Sequence, residues 1–139
     1  EEMTKVLHTK LSVKTTAHVE VIDITEMIRN WIRSEGFSDG VLTISSLHTT
    51  AGVTINEGES RLMEDIGTHL SKLVPKGAGY QHDMVDNNAH AHIAATLIGS
   101  SATLSMVSKS LDLGTWQRVL FVEFDGPRSR TIRCSFVGV

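Results

Sequence analysis

Cysteine occurs once in the 139 residues, at Cys134, so no disulfide can form within the chain, and a reducing, cytoplasmic setting is expected. Its neighbours Ile132 and Phe136 give it a strand pattern, which marks a passive packing residue rather than a reactive thiol. No apolar run approaches the ~20 residues of a membrane span, and the opening Glu1-Glu2-Met3-Thr4-Lys5 lacks a signal-peptide core, so no membrane partner is expected. Positive charge is not in excess either: 13 Lys and Arg face 16 Asp and Glu, a formal net charge of −3. Nucleic acid is held through a basic field, so it is not an expected partner. There is no Walker A loop, no Gly-x-Gly-x-x-Gly and no Gly-x-Ser-x-Gly elbow, which leaves nucleotide binding through those loops and the elbow-type hydrolase unsupported.

What remains is an ordinary globular composition, 40% hydrophobic and 21% charged, long enough for one domain over residues 1–139 with its own core. Residues 5–13 and 18–22 read as strands, with His8 and His18 as surface positions on them. Asp23 followed by Glu26 has capping-box spacing, Ile24, Met27, Ile28, Trp31 and Ile32 keep helical period, and Gly36 ends the helix. Residues 40–45 and 51–55 read as strands around a polar junction. A polar stretch at 56–60 then opens a helix with Leu62, Met63, Ile66, Leu70 and Leu73 as its buried stripe, which Pro75 stops. An irregular stretch to Asn88 precedes a short helix from His90 to Ile98, and strands follow at 102–107, 115–124 and 130–137. The expected class is α+β: antiparallel sheet of seven or eight mostly sequential, hairpin-joined strands, with about three helices packed on one side.

The densest chemistry is Asp86-Asn87-Asn88-Ala89-His90-Ala91-His92. Each buried polar group needs a partner or costs roughly 1–3 kcal/mol, so this run reads as the middle of a site; the bland alternative is that Asp86 or Asn88 merely caps the helix. Imidazoles suit a metal or proton transfer, but in a helix His90 and His92 point to nearly opposite sides and could not share one ion. Ser45-Ser46-Leu47-His48-Thr49-Thr50 adds hydroxyls and a histidine. In Glu123-Phe124-Asp125-Gly126-Pro127-Arg128, strand spacing puts Glu123 and Asp125 on one face, a candidate hard-cation or proton-transfer pair. Arg128 is a candidate bidentate grip on phosphate, against the plainer reading of a polar turn. Gly114-Thr115-Trp116-Gln117 could set an aromatic wall and an amide beside a planar ligand, or could simply start a strand with Trp116 in the core.

Taken together, Ser46-Leu47-His48-Thr49-Thr50-Ala51, Asn56-Glu57, residues 86–92, 114–117 and 123–128 resemble, in order and spacing, the YjbQ-like family, an uncharacterised family labelled secondary thiamine-phosphate synthase. The resemblance implies a homotrimer with sites near subunit boundaries. It also implies a pocket associated with a divalent metal, Zn or Mg, to which His48, His90 and His92 contribute. Around it would stand the catalytic candidates His48, Glu57, Asp86, Asn88, Glu123 and Arg128 and the ligand-binding candidates Thr49, Thr50, Trp116 and Gln117. The expected partner is a small, phosphorylated substrate. The implied reaction joins hydroxymethylpyrimidine diphosphate to thiazole phosphate, with Trp116 stacked on the pyrimidine. A metal-dependent hydrolase and a non-catalytic trimeric metal- or metabolite-binding protein are the competing readings.

Overall fold

A computed structural model describes residues 3–139. In chain order the elements are β1 (Lys5–Lys14), β2 (Glu20–Asp23), α1 (Thr25–Glu35), β3 (Gly40–Ser46), β4 (Ala51–Glu57), α2 (Ser60–Leu73), a 3-10 turn (Gln81–Met84), α3 (Ala89–Ile98), β5 (Ser101–Val107), β6 (Ser110–Leu111), β7 (Gln117–Glu123) and β8 (Ser129–Gly138). The strands form a five-stranded sheet in the order β1-β8-β3-β5-β6 and a three-stranded sheet in the order β2-β7-β4. Every pairing is antiparallel, which bears out the α+β expectation.

The expectation of mostly sequential, hairpin-joined strands is corrected. Among the described residues only β5 and β6 pair as sequence neighbours. Residues 15–19, 47–50 and 124–128 each carry the chain from one sheet to the other instead of turning it back within a sheet. The physical reason is burial. Leu42 and Ile44 of β3, Val53 of β4, Val119 and Phe121 of β7 and Ile132, Cys134 and Phe136 of β8 all enter one apolar core, and two sheets facing each other bury more of such alternating faces than one wide sheet. The stripe of α1, including Ile28, Trp31 and Ile32, joins that core. Cys134 is fully buried there, and burial pushes its thiol up to about 12, as expected of a passive residue.

Helices α2 and α3 cover the other face of the small sheet, where Val122 and Phe124 meet Ala91, Ala94 and Ala95 of α3 and Val19, Val21 and Leu70 lie alongside. The stripe expected on α2 is only half-buried; Leu73 is exposed, and Gly67 alone is fully buried. Asp23 accepts from the backbone N–H of Thr25 at 3.0 Å at the start of α1, but Glu26 turns to Arg29 and Arg118, so no reciprocal capping box forms. Gly36 ends α1 in the left-handed conformation.

Toward the end of the sandwich where the three crossing connections lie, the inward series of β7 and β8 changes from apolar to charged: after Val119 and Phe121 comes Glu123, and before Ile132 comes Arg130. The two are buried against each other, with Arg130 Nε 2.7 Å from Glu123 Oε1 and its NH2 on Oε2. Breaking a buried pair by removing one partner leaves a charge without compensation, so Arg130→Met is expected to cost about 3–5 kcal/mol, while Glu123→Leu with Arg130→Met together costs far less. Urea unfolding of the three proteins checks this; a single-variant loss under about 1 kcal/mol would show that the pair is not what holds this end.

Candidate functional site

Three of the crossings between the sheets (15–19, 47–50, 124–128) lie at one end of the sandwich, because β1, β3 and β7 finish there and β2, β4 and β8 begin there. The buried ion pair ties them together. Thr15 Oγ1 donates to Glu123 Oε1 at 2.9 Å, Arg130 NH2 donates to Thr50 Oγ1 at 2.7 Å, and Asp125 N–H donates to Glu123 Oε2 at 3.0 Å. Gly126 is required where the chain folds over this knot, since a Cβ there would collide with the carbonyl of Ala17 and stand 2.8 Å from Thr15 Oγ1. Glu123 thus has both oxygens occupied. Burial alone would raise its pKa, but the hydrogen bonds from Arg130, Asp125 N–H and Thr15 outweigh that and hold it below the usual carboxylate range. It is a structural anion rather than one half of a catalytic pair with Asp125, and Thr50 is likewise part of the support.

On this base sits a chain of polar contacts whose partners assign the protons. His82 Nε2 lies 3.1 Å from Asn88 Oδ1, Asn88 Nδ2 donates to Asp125 Oδ2 at 3.0 Å, and Arg128 NH2 donates to the same oxygen at 3.0 Å. Arg128 Nε also donates to the Asp125 carbonyl, so the Nε edge of its fork is taken by Asp125, and a bidentate grip on a ligand would have to use the NH1 edge. Burial would raise the Asp125 carboxyl, but hydrogen bonds from Asn88 and Arg128 hold it below its ordinary value. The plain capping reading fails for this run. Neither Asn88 nor Asp86 caps α3 with its side chain; Asp83 accepts from Ala89 N–H at 3.1 Å instead, while Asp86 is exposed and bonds its own neighbour Asn87.

His90 and His92 diverge, as two helical positions that far apart must. His90, 6% exposed, meets His18 with Nε2 2.9 Å from Nε2. The other nitrogen of His18 lies 3.3 Å from the Gly126 carbonyl, which can only accept. His18 therefore carries its proton on Nδ1, His90 donates from Nε2, and His90 Nδ1 is a bare lone pair, buried with no hydrogen-bond partner. His18 is half-buried in the first crossing and is not a free surface position on a strand. Its part in the site was hidden in the sequence, because no nearby residue signals it; Arg130 was equally hidden inside an alternating strand.

His92 packs edge-on against His82, ring centres 4.8 Å apart, and lines a cavity of about 470 Å³ together with His48, Thr49, Ala51, Ala95, Thr96, Gly99 and Ser100. His48 Nε2 accepts from the backbone N–H of Thr131 at 2.8 Å. Glu57, Trp116 and Gln117 are elsewhere. Register pairs Glu57 with Gln117 at one end of the small sheet and Ala51 with Glu123 at the other, and the intervening six steps of strand span about 20 Å. Trp116 is 72% exposed, neither core nor beside the imidazoles, and borders a separate hollow with Asp23, Glu57 and Arg118. Two of the five sequence blocks therefore do not join the others within one chain.

The metal set implied by the resemblance is not assembled among the described residues of one chain. His48 has given Nε2 to Thr131, His90 has given Nε2 to His18, and His92 lies on the opposite side of α3 from His90. Among the described residues no three His, Cys, Asp or Glu side chains gather as metal ligands.

Burial is the main cause holding both His48 and His90 below the ordinary imidazole pKa, reinforced by Arg130 for His48 and by His18 and Lys76 for His90. A folded value below the unfolded one means that the unfolded chain takes up protons first as pH falls. Stability is then complete above the unfolded value of about 6.5 and declines as pH drops through it toward the folded values. The urea midpoint is expected to fall between about pH 7.5 and 5.5, and to fall less in His90→Asn; a midpoint that is flat or rises on acidification would contradict this.

Comparison with known proteins agrees over nearly the whole length. The model of the family described as "UPF0047 protein YjbQ-like" matches residues 9–139. A UPF0047 protein of Methanothermobacter thermautotrophicus is 46% identical over 129 residues, covering 93% of this chain and 90% of that protein. Another from Archaeoglobus fulgidus is 49% identical over 123 residues, covering 88% and 95%. Among solved structures, a hypothetical protein from Aeropyrum pernix K1 superposes with a TM-score of 0.94 at 43% identity over 96% of this chain and 99% of that one. A YbjQ-like protein of unknown function from Sulfolobus solfataricus P2 gives 0.95 at 34% identity over 99% and 100%. Matched from residue 9 to the last residue by the family model and over nearly nine-tenths or more of their length by these relatives, the chain belongs to the UPF0047, YjbQ-like family.

Proposed function

We propose that the protein acts on a small phosphorylated molecule at the imidazole-lined end of the sandwich, with His18 and His90 passing a proton between them. The observation that carries this reading is the 2.9 Å Nε2-to-Nε2 contact, together with the partnerless Nδ1 of His90. A proton arriving at His90 Nδ1 releases the Nε2 proton to His18, which becomes an imidazolium with Asp125 close enough to stabilise it electrostatically. The pair so links a half-buried ring to a buried basic nitrogen. Lys76 and the open side of Arg128 supply the positive field that an anionic ligand needs, joined by His18 once it takes up the proton.

The thiamine-phosphate-forming reaction implied by the resemblance belongs to this substrate class. In one chain Trp116 is out of reach of the imidazoles, so in that reaction the aromatic wall would come from a neighbouring copy of the proposed homotrimer. Metal-assisted hydrolysis would likewise draw a missing ligand from such a copy. The test is a panel of phosphate monoesters and diphosphates, with released phosphate or pyrophosphate as readout. Turnover is expected, and His90→Ala and His18→Ala each reduce kcat about a hundredfold or more. Unchanged turnover in both variants removes the pair from the chemistry, and stoichiometric binding without product makes the protein a binding module.

A further inference from the structure

The cavity between the 47–50 crossing and α3 holds a second, separable piece of chemistry. Its fixed point is His48. The N–H of Thr131 can only donate, so the Nε2 it reaches at 2.8 Å must present a lone pair, and the neutral ring then carries its proton on Nδ1. Among the described residues no group accepts from that Nδ1–H, although His48 lines the cavity. Movement of the proton to Nε2 would set two N–H groups against each other. The backbone of β8 therefore locks His48 as a donor.

The rest of the lining fits an acceptor-rich guest. Thr49 and Ser100 bring hydroxyls with no acceptor among the described residues, and Thr96 brings one that already donates to the His92 carbonyl. Among the described residues no Asp or Glu borders the cavity. The guanidinium groups of Arg130 and Arg128 lie near enough to His48 to act on its charge, and Glu123 is offset by its pairing with Arg130. At the adjoining end of α3 two carbonyls that would oppose an anion are already used, Ala95 by Gly99 N–H and Gly99 by Val53 N–H.

From this geometry we infer that the cavity is a phosphate subsite whose anchoring donor is the Nδ1–H of His48, with the Thr49 and Ser100 hydroxyls completing it. The inference rests on the reading that this end of the protein takes a phosphorylated molecule, and it assigns the group that holds the phosphate. It also gives His48 a different task from metal ligation: the ring grips an oxygen and does not accept a proton.

Asparagine places a side-chain donor close to the position of imidazole Nδ1, whereas glutamine places one close to Nε2. Titration with inorganic phosphate, followed through the imidazole nitrogens of uniformly 15N-labelled protein, reads both tautomer and contact. The expected result is an unprotonated Nε2 on His48 before any addition, and phosphate-dependent shifts at His48 and at the Ser100 amide. His48→Asn is expected to keep phosphate affinity within about threefold, whereas His48→Gln loses about tenfold. A proton on His48 Nε2 in the free wild-type protein overturns the inference whatever the variants do. So do phosphate shifts that leave His48 and Ser100 untouched, and full affinity in His48→Gln. Phosphate binding at His48 in a protein that turns over no substrate would count against the proposed enzyme and leave this subsite standing.

Discussion

The buried pairing of Glu123 with Arg130 is the constraint on which the rest of this end of the molecule depends. An apolar layer at that position would fill the core equally well, but it could not hold three chain crossings in place. The pair does so because its spare hydrogen-bonding capacity is directed at them: Thr15 in the first, Thr50 in the second and the Asp125 amide in the third. Two charges taken out of water are costly, and only complete satisfaction of their donors and acceptors makes the arrangement tolerable. That requirement is what fixes the loops, and the loops carry the chemistry.

Above that base, directionality comes from groups that have only one role. The carbonyl of Gly126 can only accept and the amide of Thr131 can only donate, so His18 and His48 have no choice of tautomer. His90 inherits its state from His18. Asn88 is oriented in the same way, its amide nitrogen toward the Asp125 carboxylate and its oxygen toward His82. Rings that would be interchangeable in water thus become distinct, one at a cavity wall with its Nε2 occupied by a backbone N–H and another with a bare, buried Nδ1.

How much of this was legible in the sequence follows from the range of each signal. Short-range signals were readable: the period of α1 and its glycine stop, the alternation in β8, and the opposite headings of His90 and His92 on one helix. The dense polar runs from Asp86 to His92 and from Ser46 to Thr50 were visible as well, and the fold brings parts of both to the same end of the sandwich. What escaped was set by distance through space. Strand pairing such as β1 with β8 joins the two ends of the chain, and nothing local announces it; hence the hairpin expectation failed. His18 stood alone in a short connection, and Arg130 continued the inward row of Ile132 and Cys134, so neither looked functional. Glu57 and Trp116 were misplaced for the complementary reason. Their polar and aromatic character is visible locally, but β4 and β7 carry them to the far end of the small sheet, a separation set by strand length and pairing.

Family membership and fold are therefore settled on a different footing from the chemistry, which rests on a single contact between two rings. That contact can be observed directly. A long-range 1H–15N correlation spectrum of the uniformly labelled wild-type protein near neutral pH reports which imidazole nitrogens carry protons, and a scalar coupling across the hydrogen bond reports the contact itself. The structure predicts His18 protonated on Nδ1, His90 protonated on Nε2 with a bare Nδ1, and a measurable coupling between the two Nε2 nuclei. Two rings with no coupling between them, or His90 with its proton on Nδ1, would contradict the account.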